Sequence, residues 1–234
     1  MKKFLLLFIV LPVVFTACEI LKSLELPSGT LPLTTSEIID GLKEALRVGT
    51  GNAVETLGQE NGFYGSPLFR IPFPEEARIV EEKLRDLGMN KLVDDFIVTL
   101  NRGAEKAVTK AAPIFWDAIK QMTFDDARNI LNGPENAATE YFRNHTSSQL
   151  TAAFKPDVAT TLDQVQVTRY WTDITTVYNR IPFVKKVETD LAQYVTQKTV
   201  QAVFTRLAEE EKLIRIDPKA RVTEILRRVF GSIT

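Results

Sequence analysis

Reactive side chains are scarce in this chain. Its 234 residues include one cysteine, Cys18, and one histidine, His145. A lone thiol excludes an intrachain disulfide. One histidine without a cysteine set or an HExxH pattern offers no zinc site. No phosphate-binding glycine loop is present. The segment 49–54, GTGNAV, lacks the third glycine and the preceding strand of a dinucleotide fingerprint. Neither sign of charge is in marked excess. With 29 basic and 30 acidic residues, the chain carries no basic footprint for nucleic acid. The sequence thus predicts no cofactor, no metal and no nucleic-acid partner.

The one long apolar run lies at the start. Met1, Lys2 and Lys3 form a positive end, and residues 4–14 are apolar except for Pro12. A membrane span needs roughly 20 apolar residues, so this run is too short. A basic start, a short apolar run and a small residue before a break describe an export signal. Phe15-Thr16-Ala17-Cys18 resembles a bacterial lipobox, with Phe15 in place of the usual leucine. That resemblance implies cleavage after Ala17 and acylation of Cys18. Two or more chains anchor a protein stably, each buried methylene contributing about 0.8 kcal/mol. The expected organisation is a signal at 1–17, a lipidated tether at 18–33 and one helical domain at 34–234. Loss of Lys2 and Lys3 with the signal leaves 27 basic against 30 acidic residues. The expected location is the bacterial envelope outside the cytoplasm, on the outer membrane in a Gram-negative host. The bilayer is the first partner, reached through acylated Cys18.

Beyond the tether, apolar residues recur at helical spacing. Thr34 and Glu37 fit a capping box, opening a helix that carries Ile38, Leu42, Ala45 and Leu46. Residues 61–74 mix Phe63, Phe69, Ile71 and Phe73 with glycine and proline, which predicts a long packed connector. Phe69, Ile71 and Phe73 either fill a gap between helices or wall a groove. Further helices are expected at 75–87 and 90–110. Pro113 is expected to kink or divide the second of these before 114–122 continues. Thr123 and Asp126 repeat the capping pattern. Three short helices are expected next, at 136–142, from Thr146, and from Pro156. A long helix follows from Asp190 to about Glu211. Residues 213–216 read as a short strand or packed turn, and Asp217-Pro218 as a helix start. The predicted class is all-α, an irregular multi-helix domain with long packed loops.

Several stretches resemble the DUF4197 family of bacterial exported proteins and lipoproteins. The matching positions include residues 41–46 (GLKEAL), Gly62-Phe63, residues 71–74 (IPFP), 101–105 (NRGAE) and 112–115 (APIF). They continue through Met122-Thr123, Asp126-Ala127, Ile130-Leu131, Ala138-Thr139 and Tyr141-Phe142. The resemblance implies a helical domain outside the cytoplasm and assigns no catalytic residue.

Asn101, Arg102 and Glu105 are the leading polar candidates, because spacings of three and four bring them together on a helix. With Asp125, Asp126 and Arg169 they are read as a polar network, structural or binding. Asp125 and Asp126 also suit a helix N-terminus. His145 is expected to take a surface or loop-stabilising role. Arg169, Tyr170, Trp171, Tyr178 and Arg180 read as core or subunit packing ahead of ligand recognition. The favoured function is non-enzymatic binding or assembly in the envelope, with an envelope protein or small ligand as partner. A hydrolase using an acidic/arginine pocket is the alternative, and a structural spacer is the third reading.

Overall fold

A computed structural model describes residues 34–164 and 190–231, with 171, 175, 176, 179, 180, 182, 183, 186 and 187 between them. The signal, the tether with Cys18, and Arg169, Tyr170 and Tyr178 lie outside the described residues. Thr34–Thr234 forms one compact unit. Among the described residues it is all-α, with no strand.

Helix α1 (Thr35–Gly58) opens on the capping box expected from the sequence. The Glu37 amide donates to Thr34 Oγ1 at 3.2 Å, and the Thr34 amide donates to Glu37 Oε2 at 2.8 Å. Leu42, Ala45, Leu46, Ala53, Val54 and Leu57 form its buried face. The next α-helices are α2 (Arg78–Asp86), α3 (Asn90–Val108), α4 (Ala111–Gln121) and α5 (Phe124–Asn132). They are followed by α6 (Ala137–Leu162), α7 (Leu191–Ile216) and α8 (Glu224–Gly231). Helices α3, α6 and α7 pack on one another, and α1 packs across α3, α4, α7 and α8. Phe115, Phe142 and Phe204 meet edge to face where α4, α6 and α7 converge, with Phe115–Phe142 centroids 5.2 Å apart. Phe73, Phe96 and Trp171 form a second ring cluster at 4.9 to 5.6 Å. Trp171 therefore packs in the core, as the packing alternative expects, whereas Arg180 is exposed.

The largest departure from the sequence reading is α6, which is one helix where three were expected. The Thr146 hydroxyl does not cap a new helix. It donates back to the Phe142 carbonyl at 2.6 Å, inside the same helix. Phe142, Thr146, Leu150, Phe154, Val158 and Leu162 are all buried, so one stripe runs unbroken past Pro156. An interior proline costs about 3 kcal/mol. Burying Phe154, Val158 and Leu162 offsets this at about 1.5–3 kcal/mol each.

Other boundaries shift for local reasons. The break before α4 falls at Thr109-Lys110, and Pro113 sits in the first turn, where its missing N–H is no loss. Residues 75–77 form a 3₁₀ turn ahead of α2, and Gly88 follows that helix at φ 78°. Residues 213–216 continue α7 as its last turn, in place of the separate short strand or packed turn expected. The guanidinium of buried Arg221 donates to the Ile214 and Arg215 carbonyls, satisfying acceptors that a helix end leaves open. Asp217-Pro218 begins only the 3₁₀ turn Pro218–Ala220, and α8 starts later.

Candidate functional site

Asn101, Arg102 and Glu105 share one face of α3, and that face holds the 61–74 connector. Asn101 is fully buried. Its Oδ1 accepts the Ile71 amide at 2.8 Å, and its Nδ2 donates to the Ile71 and Ile97 carbonyls, each at 2.8 Å. One side-chain amide thus satisfies both backbone groups of Ile71. Glu105 is 4% exposed. Its Oε1 accepts the Phe63 and Tyr64 amides at 3.1 Å, and its Oε2 accepts Arg102 Nη1 at 2.5 Å. Arg102 reaches on to Glu60 and Asn61 at 3.2 and 3.0 Å. The connector between these pins has Phe63, Ile71 and Phe73 buried. Its entry also requires glycine: a Cβ on Gly62 would sit 2.5 Å from the Thr56 and Leu57 carbonyl oxygens.

The remaining sequence candidates lie elsewhere. Asp126 is engaged with Thr123, whose hydroxyl donates to it at 2.6 Å and whose amide donates at 3.0 Å. Those two bonds hold its carboxyl below the usual range. Asp125 is exposed in the first turn of α5. Arg169 lies outside the described residues. His145 sits inside α6, its Nδ1 2.7 Å from the Tyr141 carbonyl and its ring stacked on Tyr141 at 4.2 Å. Burial pushes the Tyr141 phenol upward.

Two buried acids had no place in the sequence reading. Glu211 accepts the Ala138 and Thr139 amides at 3.0 and 2.9 Å and the Thr139 hydroxyl at 2.8 Å, catching the start of α6. It also pairs with Arg215 at 2.8 Å. Glu210 pairs with Arg206 and accepts from Asn52. Arginine four residues away from each acid was the available signal, and ending the helix at Glu211 hid the one at Arg215. Among the described residues, no group of three His, Cys, Asp or Glu is placed to hold a metal ion.

Three concavities are lined by described residues. A void of about 20 Å³ beneath α1, α7 and α8 is apolar and holds at most one water. A shallow depression on α6 is lined, among the described residues, by that helix alone. The third is a groove of about 210 Å³ between the pinned connector and α7. Phe69, Ile71, Pro72 and Ala202 supply its apolar surface, and Arg70, Lys198, Gln201 and Thr205 its polar groups. Leu68 stands at the groove, 62% exposed. The Tyr194 hydroxyl donates to the Pro72 carbonyl at 3.4 Å, a second tie between connector and α7. Of the three expected wall residues, Phe69 and Ile71 line this groove, while Phe73 joins the aromatic cluster.

Residues 32–231 match the family described as a protein of unknown function, DUF4197. The chain belongs to the DUF4197 family. No curated protein and no solved structure matches it. Three of the stretches that carry the family resemblance meet at the connector. Gly62-Phe63 receives Glu105, Ile71 receives Asn101, and both side chains come from residues 101–105. In this DUF4197 chain those polar residues position backbone, and Ile71 and Pro72 of the same stretches border the groove. Among the described residues, no helix is long and apolar enough to cross a membrane.

Proposed function

We propose that this DUF4197 chain is an exported bacterial lipoprotein, held in the envelope by acylated Cys18, whose helical domain is a non-enzymatic binding protein. The groove between the connector and α7 is its binding site. One observation carries the binding reading: a mixed polar and apolar concavity has a wall that the domain fixes with buried side-chain hydrogen bonds. Such preorganisation lowers the ordering cost of binding. The hydrolase reading asks for an open carboxylate beside Arg102. Both oxygens of Glu105 are instead engaged by two amides and that arginine. The anchor reading is supported by the signal-like residues 1–17 and the lone cysteine at their end.

Two measurements in bacterial cells test the proposal. Labelled palmitate should enter the wild-type protein and not Cys18→Ser, and the variant should leave the membrane fraction. A photo-crosslinking residue at Leu68 should capture a ligand or partner in intact envelopes, and the same residue at Trp116, outside the groove, should not. Equal labelling of Cys18→Ser removes the anchor. Absence of any capture from Leu68 removes the binding role and leaves the spacer.

A further inference from the structure

We infer that the groove recognises a phosphate ester, with Arg70 and Lys198 as its anion-binding pair. This rests on the binding reading above and adds the ligand's chemical class. Many cations elsewhere in the fold are paired with carboxylates, among them Arg102 with Glu105 and Glu60, Arg206 with Glu209 and Glu210, Arg215 with Glu211, and Lys155 with Asp190. Arg70 and Lys198 differ. Among the described residues, neither has a carboxylate within ion-pair distance. Each is set over an aromatic ring instead. The Arg70 guanidinium lies 4.5 Å from the Tyr64 centroid and the Lys198 ammonium 5.8 Å from that of Tyr194. A cation–π contact steers a cation without cancelling its charge.

Both rings are themselves tied into the scaffold. The Tyr64 amide is held by Glu105, and the Tyr194 hydroxyl by the Pro72 carbonyl. Two unneutralised cations therefore border one small groove from its opposite walls, Arg70 on the connector and Lys198 on α7. Gln201 adds a neutral amide donor on the same helix, beside Thr205, whose hydroxyl donates to the Gln201 carbonyl at 3.1 Å. A planar guanidinium fork, a point-charge ammonium and a neutral amide donor together match an anion with several oxygens, as in a phosphate. Phe69, Ile71, Pro72 and Ala202 give the adjoining carbon skeleton an apolar bed. The volume, about 210 Å³, is below the roughly 300–1,000 Å³ of drug-sized pockets. It suits a head group or a short phosphate ester, not a whole amphiphile.

Calorimetry on the full chain in neutral detergent tests this. sn-Glycerol 3-phosphate probes a soluble ester. Micelles doped with phosphatidylglycerol, against phosphatidylcholine, probe a lipid head group. At least one of glycerol 3-phosphate and phosphatidylglycerol should bind saturably, and the one that does identifies the source. Arg70→Ala and Lys198→Gln should each weaken that binding about tenfold, the scale of one charged hydrogen bond, and Lys198→Glu should abolish it. Lys212→Ala, outside the groove, should leave it unchanged. Melting temperatures of these exposed-site variants should match wild type, so that lost binding is not lost folding. Silence of both probes, or wild-type affinity in Arg70→Ala and Lys198→Gln, overturns the inference. Continued capture from Leu68 in cells would then leave the binding reading standing with a different ligand. Loss of both would remove the two together.

Discussion

Replacing Asn101 by alanine should both destabilise the domain and loosen one wall of the groove. Asn101 makes three hydrogen bonds of 2.8 Å, two of them to the amide and carbonyl of Ile71. Alanine leaves those two groups without a partner beneath a buried side chain. An orphaned buried group costs about 1–3 kcal/mol. The Ile97 carbonyl also loses a bond, but it lies within α3 and is the lesser loss. Partial opening of the connector lets water reach Ile71 and trims the total to about 3 kcal/mol. In a domain of this size each 1 kcal/mol moves the melting temperature by about 2–4 °C, so the expected drop is about 6–12 °C. Thermal melts measure it, and hydrogen exchange of the peptide covering residues 68–73 locates it. Asn101→Asp sharpens the test. It keeps an acceptor for the Ile71 amide but sets a second oxygen against the Ile71 and Ile97 carbonyls. It should therefore be at least as damaging as alanine. A shift below about 1 °C for alanine, or wild-type stability for aspartate, would refute the reasoning.

Other perturbations probe other joints. A Cβ on Gly41 would lie 2.4 Å from Val229 Cγ2 on α8. Gly41→Ala should thus cost about 1–3 kcal/mol by overpacking, despite the roughly 1 kcal/mol that alanine gains in a helix. Combining it with Val229→Ala should be less damaging than the sum of the two, and strict additivity in urea melts would deny the clash. Glu211→Gln replaces one of two acceptors at the start of α6 and should lower stability by about 2 kcal/mol; a urea-derived change under about 0.5 kcal/mol would contradict the assigned role. Arg102→Ala should lower the melting temperature less than Asn101→Ala, because the arginine is 32% exposed; an equal or larger drop would reverse that ranking. Acid should weaken the fold in a defined window. Asp190 is held low chiefly by the Lys155 hydrogen bond and then by the Gln193 amide, and Asp126 by Thr123. A lowered folded pKa means that the stabilisation is complete above the ordinary value of 3.8 and fades as pH falls through the folded one. Melting temperatures should fall below about pH 4, and Asp190→Asn should flatten that slope.

The parts of the fold legible in sequence were those governed by neighbours along the chain. Thr34 with Glu37, and Thr123 with Asp126, carry their helix starts in four residues. The face of α1 and the packed character of 61–74 follow from apolar spacing. Proximity of Asn101, Arg102 and Glu105 followed from helical geometry, but their targets did not. Glu105 reaches an amide 42 residues away, and Glu211 one 73 residues away. No local pattern encodes such partners. Helix α6 was misread because Thr146 has two local uses, cap or back-bond to residue 142, and only burial of the whole stripe selects the second. The groove was half visible. Phe69 and Ile71 suggested a wall, but Lys198 lies on a helix far along the chain. Its cation was unremarkable until Arg70 was placed across from it.

The groove as the working surface of a tethered domain is tested most directly by filling it. Thr205 lines the groove on α7 and is partly exposed, so Thr205→Trp should occupy the space while leaving the core intact. The full-length variant should keep its wild-type melting temperature and its Cys18 lipid label, yet lose capture from the Leu68 crosslinker in intact envelopes. Undiminished capture by a folded, lipidated Thr205→Trp protein would place the binding surface elsewhere.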